Sequence, residues 1–537
     1  MDRKTALTLI IIVAIGAFFR FWHLNELPPG LYPDEAMNGV NAIHALNNAD
    51  FEAFYPENNG REGLFINLQV LSVQIFGPTA WSLRATSAAI GTLTVLIFYF
   101  LLKEFLSFFK ERLTKNNEAF SFFNNEYFVP TATFLLAVNS WHVHFSRIGF
   151  RAIMVSFLLS LALLFLLRGM RTKQIKNYIL SGFWWGLGFY SYIGFRLSPI
   201  LGLAVFIFDA VSWRVHRKTE SFKTFFSHYI VLGIATVVTM IPLLGYLLSH
   251  PQDISSRSSG ISVFASTNPI LTFLESAAKT ALMFNIAGDW NWRHNLAGAP
   301  QLTLLVSAVF LIGALILIKN TFLAFKEKNI AGAFPVVFIF GWLFVMLMPA
   351  MLTNEGLPHA LRSIGAIPPV IILATIGLIW IWDFWRRNLK IKNVKLAAAL
   401  LILALFAVGI ENYNRYFVAW ANDPNIRGAF RQDLVLISKF LNDQDENTLK
   451  YVVVNENATL LDNIPMPSAT IRFLTNEDNT IRYLTSDRLD EIQTESGKKT
   501  IIVLTNKDDN ELNNKIYDLF PNIQKNSDDF TYYQVNN

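Results

Sequence analysis

The chain has 537 residues, of which 53% are hydrophobic, 14% aromatic and 16% charged, with a formal net charge of +5 and no cysteine. A soluble globule of this size carries more charge, and the mean hydropathy of +0.35 is positive over the whole length. The Lys and Arg fall in short clusters between apolar runs, a pattern of membrane topology that excludes nucleic acid as a partner; the missing cysteine excludes disulfides and thiolate chemistry.

In chain order, Asp2-Arg3-Lys4 precedes an apolar run from Ala6 to Phe19 that ends in Phe18, Phe19, Phe21 and Trp22. No small-residue cleavage site follows, so this reads as a retained span with an aromatic interfacial end. Further runs of spanning or near-spanning length lie near 81-103, 128-140, 150-169, 178-191, 194-210, 228-249, 302-319, 332-350, 361-384 and 395-410. The predicted fold is an α-helical polytopic membrane protein of about eleven spans. With a cytoplasmic amino terminus, the inner connections (Lys103 to Lys115, Arg168 to Lys176, Arg214 to Lys223, Lys319 to Lys328, Arg386 to Lys395) hold roughly twice the Lys and Arg of the outer loops.

From Glu411 the composition changes to Asn- and Asp-rich sequence with short strand-like runs, Tyr451 to Val454 and Ile501 to Leu504, and helix-like stretches, Asp433 to Leu441 and Glu511 to Leu519. The expected organisation is a transmembrane module over 1-410 with catalytic outer loops and a small extracytoplasmic α/β domain over 411-537. The expected location is the plasma (inner) membrane, with the outer loops and the tail facing the exterior.

The unusual polar residues fall mostly on the outer side. They are Asp34 and Glu35; Arg61 and Glu62; His142, His144, Arg147 and Arg151; Arg196 beside Tyr190 and Tyr192; Asp289, Arg293 and His294; and Glu355, His359 and Arg362. Charge at a lipid boundary is expensive unless used. Arginines suit a phosphate held at headgroup depth, because guanidinium offers a fixed bidentate fork, and a carboxylate suits deprotonation of an acceptor nucleophile. We therefore take Asp34 and Glu35 as the catalytic pair, and Arg61, Glu62, His142, Arg147, Arg196, Arg293, His359 and Arg362 as donor-phosphate and substrate-binding residues. Because Asp34 and Glu35 are consecutive, their side chains cannot easily share a direction, and Glu35 is expected to orient the loop through a neighbouring Arg or His.

No cofactor is required by this chemistry. His142-x-His144 with Asp34, Glu35 or His294 is the set that could hold a divalent metal, although an HxH pair on a helix splays its rings. The GxxxxGK[ST] loop, the GxSxG elbow and the HExxH motif are absent.

The order of PDEAMNG, NGREGLF, NSWHVHFSRIGFRAIM, GLGFYSYIGFRLSP, GDWNWRHNLAGAPQL and LTNEGLPHALRSIGAIPP over residues 1-410 resembles the multi-span (C-type) lipid-phosphate-sugar glycosyltransferases. These include the protein O-mannosyltransferases and lipid A aminoarabinose transferases, and the bacterial relatives are the most similar. The resemblance implies an inverting hexosyl or pentosyl transfer from a polyprenyl-phosphate sugar to an extracytoplasmic acceptor (protein, glycolipid or cell-surface polymer). It implies that Asp34 approaches the acceptor and Arg61 the lipid phosphate; where the family often has Lys followed by prolines, this chain has Arg61-Glu62-Gly63. Two alternatives stay open. One is a transporter or flippase for a lipid-linked or anionic substrate, which would gather similar charges in a membrane cavity. The other is a non-catalytic member whose tail acts as a binding module.

Overall fold

A computed structural model describes residues 2–112, 118–215, 221–254, 260–327, 329–389, 393–521 and 523–535. Parts of the basic inner connections, at 113–117, 216–220, 328 and 390–392, lie outside the described residues. The chain divides into two units, one of Met1–Trp22 with Ser87–Asn422 and one of His23–Thr86 with Asp423–Asn537. Residues 23–86 thus fall in the same compact unit as 423–537, and the first unit runs on to Asn422, past the division at 410/411 expected from composition.

Nine helices among the described residues are long and apolar enough to cross a membrane: Arg3–Phe21, Ala80–Arg112, Ile153–Thr172, Ile193–Val215, Phe222–Ser249, Leu304–Lys326, Ala331–Met351, Ile364–Asn388 and Lys395–Trp420. Two of the eleven expected spans are shorter. Phe128–Val138 stops where Asn139 leaves helical geometry and caps the next helix, Ser140–Phe145. Ile175–Gly188 has 14 residues, about 21 Å at 1.5 Å per residue against a hydrocarbon core of about 30 Å. The first helix, α1 (Arg3–Phe21), starts at Asp2, whose carboxylate accepts from the Thr5 amide.

Small residues decide how closely the spans pack. A Cβ on Gly313 would fall on the Leu373 carbonyl and one on Gly377 on that of Val309, so helices Leu304–Lys326 and Ile367–Asn388 meet backbone to backbone.

The second unit joins α2 (Pro33–Asn48), the β1–β2 pair (Phe54–Tyr55, Arg61–Glu62), α3 (Leu64–Phe76) and the first turns of α4 (Ala80–Arg112) to the tail. They share a core in which Leu31, Met37, Val40, Ile43 and Ile66 pack with Leu461, Ala469 and Phe473. Gly39 makes the crossing tight, since any Cβ there would collide with the Phe473 ring.

The tail proper has β3 Leu449–Val454, the short antiparallel pair β4 Leu460–Leu461 and β5 Ile464–Pro465, β6 Ile481–Thr485, β7 Thr500–Leu504, β8 Gln524–Ser527 and β9 Thr531–Val535, of which five form a sheet of order β6-β3-β7-β9-β8. Strands β6, β3 and β7 are parallel, with Val452 opposite Tyr483 and Val503, and β9 is antiparallel to β7 and β8. The apolar runs of β3 and β7 are buried on both faces, as strands covered by helices on each side must be. Helix Asn510–Leu519 covers one face through Leu512 and Ile516, while Gln432–Asn442 and Ser468–Leu474 cover the other through Leu434, Ile437 and Ile471. The strand-like and helix-like stretches read from the tail sequence are found in these places.

One contact within this unit is expected to give it a pH dependence. His44 on α2 lies 3.4 Å from Glu477, which also pairs with Arg472 at 2.8 Å. The Glu477 hydrogen bond raises His44 above its ordinary value of 6.5, against the opposing effect of burial and of Arg472. A raised histidine stabilises fully below 6.5 and loses that contribution as pH climbs through its folded value, whereas the lowered Glu477 loses its own only below 4.5. The unfolding temperature of the full chain should fall as pH rises above 6.5, and His44→Gln should flatten that decline. An unchanged pH profile in the variant would remove His44 from it.

Candidate active site

The two acidic residues of the first loop occupy the first turn of α2, with Pro33 at its start. Pro33 presets the helical dihedral where no amide hydrogen is needed, and the helix N-terminus favours carboxylates. The turn points them different ways. Asp34 is half-buried, and its Oδ1 accepts from the Asn58 side-chain amide. Glu35 is 0% exposed, and its Oε2 lies 3.1 Å from Arg84 Nε, itself 0% exposed. Arg84 also donates to the carbonyls of Pro28 and Gly30, both at 2.7 Å. The Glu35–Arg84 pair thus ties the segment before α2 to α4, and Asp34 is the carboxylate of the two left with solvent access.

Arg61 is placed otherwise than a phosphate ligand would be. It is 2% exposed, donates to Asn38 Oδ1 at 2.7 Å and Asn41 Oδ1 at 2.6 Å, and pairs with Glu57 at 3.2 Å. Its fork is spent on the side chains of α2, so Arg61 holds β2 against that helix. Glu62, next in β2, is buried opposite Phe54.

His142 and Arg147, expected at the donor, lie inside the first unit. Arg20 donates to the Gly16 and Ala137 carbonyls and lies 2.8 Å from His142 Nδ1, which must be the acceptor because guanidinium has no lone pair to offer. Arg147, 0% exposed, donates to the carbonyls of Phe19 and Arg20 and lies over the Tyr416 and Phe417 rings at 5.3 and 5.1 Å. It satisfies carbonyls that the end of α1 leaves without helical partners. A fully buried guanidinium held in this way is not presented to a phosphate. His144 bonds through Nε2 to the Arg293 carbonyl at 2.6 Å, so the two imidazoles of the HxH pair serve different partners and form no common metal set.

The polar centre of the first unit is Asp289. Its Oδ2 lies 2.9 Å from His294 Nδ1, 3.8 Å from His359 Nδ1 and 2.8 Å from the Ala360 amide, and its Oδ1 accepts from the Asn291 amide at 2.8 Å. One carboxylate therefore joins the loop after Leu282 to the loop before Ile364. Burial pushes the Asp289 carboxyl up, but His294, His359 and the Asn291 amide outweigh it and hold it below the usual range. Asp289, His294 and His359 bring three ligand atoms within 4.8 Å of one another, and among the described residues they are the set that could hold a divalent ion. Arg293 and Arg362 are half-buried on the same two loops, Arg362 donating to Thr353 Oγ1 at 2.8 Å and the Glu355 carbonyl at 2.9 Å. Arg196, in the turn Ile193–Leu197, donates to the Ile254 carbonyl at 3.0 Å.

Asp289→Ala would leave the buried Ala360 amide, the partly buried Asn291 amide and the His294 imidazole without their acceptor, at about 1–3 kcal/mol for each buried unsatisfied group. The expected result is a lower unfolding temperature with faster hydrogen exchange over residues 283–303 and 352–364; parental exchange there would show that the carboxylate is dispensable.

The sequence reading missed Arg84, Asn58 and Arg20. Arg84 and Arg20 carried a signal, each being a lone charge at the end of an apolar run, where a buried partner must exist. Asn58 carried none.

No family model matches the chain, and no curated protein matches it. Solved structures do. ArnT from Cupriavidus metallidurans bound to undecaprenyl phosphate is 11% identical, with a TM-score of 0.55 over 99% of this chain and 98% of that one. Its apo state gives 12% and 0.53 over the same shares. The fold is that of the C-type glycosyltransferases. The apo oligosaccharyltransferase of Archaeoglobus fulgidus is 13% identical with a TM-score of 0.50, matching 89% of this chain but only 64% of its own length. At these identities the likeness carries the C-type fold and its multi-pass membrane architecture.

Proposed function

We propose that the chain is an inverting glycosyltransferase that moves a sugar from a polyprenyl-phosphate donor to an acceptor outside the cytoplasm. The observation that carries this reading is the first turn of α2, where Asp34 keeps solvent access and an Asn58 hydrogen bond while Glu35 is locked to Arg84. The likeness in fold to an ArnT bound to undecaprenyl phosphate supports the donor class.

In this mechanism the acceptor's hydroxyl or amine attacks the anomeric carbon from the face opposite the phosphate. The carbon–oxygen bond to phosphate breaks with its electron pair, the polyprenyl phosphate leaves as an anion, and Asp34 takes the acceptor's proton. Arg196, Arg293 and Arg362, half-buried in the first unit, are assigned to the donor phosphate on their charge alone, and Glu35, Arg61, Glu62, His142 and Arg147 hold the scaffold. The sugar–phosphate bond supplies the driving force, so no nucleotide is consumed. Should the reaction use a divalent ion, Asp289, His294 and His359 would hold it, adding Lewis-acid stabilisation of the leaving phosphate.

The test is reconstitution of the purified chain in liposomes with a polyprenyl-phosphate sugar and a cell-envelope extract as acceptor source. Release of polyprenyl phosphate together with labelled acceptor is the expected result. Lipid-linked sugar that crosses the bilayer with its sugar–phosphate bond intact would replace the transferase with a flippase.

The same reading places the Asp34 loop and the tail outside the plasma membrane. Cysteines introduced at the exposed Asn59 and Asn457 should react with an impermeant thiol reagent in intact cells. Labelling that requires permeabilisation would reverse the orientation.

A further inference from the structure

The tail sheet has a reversal in its strand order. From β3 the chain crosses to β6 at the edge, then returns to β7 on the other side of β3. The connection leaving β3 leads to helix Ser468–Leu474 on one face, and the connection leaving β7 leads to helix Asn510–Leu519 on the opposite face. Two connections that depart to opposite faces leave a crevice at the carboxyl ends of the strands between them, the place where open α/β sheets bind ligands. This sheet has a cavity of about 660 Å³ there, lined by Glu456 just past β3 and by Thr505, Asn506, Lys507 and Asp508 just past β7. That volume is within the range of small-molecule sites.

The lining says what kind of molecule fits. Its bases are Arg427, Arg431 and Lys507, and its acids are Asp433, Glu456, Asp508 and Asp529. Arg431 is the fixed floor, donating to Asp433 at 2.8 Å, to Glu456 at 2.8 Å and to the Thr505 carbonyl at 3.0 Å. What faces the opening is therefore a balanced set, Arg427 and Lys507 with Asp508 and Asp529, all exposed, beside the half-buried Phe530. At this opening a phosphate would meet as many carboxylates as cations, and a polyamine as many cations as carboxylates. A neutral saccharide suits the array, because each hydroxyl both donates to a carboxylate and accepts from a cation, while the C–H face of the ring packs on an aromatic side chain.

We propose that the tail domain binds a neutral saccharide in the crevice at the carboxyl ends of β3 and β7. None of its lining residues belongs to the proposed transfer machinery, so the inference does not rest on the transferase reading.

The experiment uses the full chain in lipid nanodiscs with neutral trisaccharides of glucose, mannose, galactose and N-acetylglucosamine as probes, and inorganic phosphate as the contrasting anion. Binding is read by saturation-transfer NMR and calorimetry. At least one trisaccharide should bind, and the double variant Asp508→Asn/Asp529→Asn should weaken it about tenfold or more through loss of charge-assisted hydrogen bonds, with the unfolding temperature of the parent retained. Lys507→Ala, also exposed, should weaken the same probe. No binding by any trisaccharide, binding indifferent to all of these substitutions, or binding of phosphate in place of sugar would each overturn the proposal. Turnover by the double variant on saturating acceptor should match the parent, which separates this site from Asp34.

Discussion

Asp34→Asn is expected to remove turnover, lowering kcat by about 10²–10⁴, the usual contribution of a positioned general base. The substitution keeps the size of the side chain and keeps an oxygen where Asn58 donates, so the first turn of α2 should survive. What it removes is the capacity to take a proton at neutral pH. Expression, unfolding temperature and affinity for polyprenyl-phosphate sugar should therefore match the parent while release of polyprenyl phosphate stops. Asn58→Ala is a useful companion: it leaves the base in place but frees its orientation, so it should lower kcat by less than Asp34→Asn does. The measurement is turnover in proteoliposomes with donor binding determined on the same preparations. Parental kcat in Asp34→Asn would take Asp34 out of the chemistry, and loss of donor binding together with kcat would move it from base to binding group.

The largest effect on stability should come from Arg84→Ala. Both partners of the Glu35–Arg84 pair are 0% exposed, and truncating the arginine leaves a buried carboxylate without its counter-charge as well as stripping donors from the Pro28 and Gly30 carbonyls. Breaking such a pair from one side costs about 3–5 kcal/mol. Against a typical total of about 5–15 kcal/mol, that leaves a protein expected to be recovered poorly and to unfold early. Glu35→Gln should be milder, since an amide oxygen still accepts from Arg84 and the buried negative charge is gone; it should retain measurable turnover. The double variant Glu35→Gln/Arg84→Met should be more stable than Arg84→Ala alone, because the uncompensated carboxylate is removed with its partner. Unfolding of the four proteins in one detergent decides this. Arg84→Ala within about 1 kcal/mol of the parent, the scale of a surface ion pair, would mean that the pair is not what holds the loop.

The membrane class, the order of the long spans and the α/β character of the tail were legible in the sequence, because each depends on local composition. A run of about twenty apolar residues has few alternatives to a spanning helix, and the apolar β3 and β7 between amphipathic stretches fit only a covered parallel sheet. The acidic pair was legible for a related reason: charge next to an apolar span must be used or compensated. Which carboxylate is used and which is compensated was decided by tertiary structure, through an arginine forty-nine positions away at the head of α4.

The same limit explains the basic residues. A guanidinium in a sequence offers the same fork whether it meets a phosphate, a carboxylate or a helix end, so Arg61, Arg147 and Arg362 looked alike. Only the fold gave Arg61 to Asn38 and Asn41, Arg147 to the end of α1, and left Arg362 half-buried on a loop. The domain boundary followed the same logic. Composition separates apolar spans from polar tail, but residues 23–86 join the tail because Leu31, Met37 and Val40 complete a core with Leu461, Ala469 and Phe473. Sequence determined which segments seek lipid and which carry charge; the partner that satisfies each buried charge is a long-range contact, and only the folded chain contains it.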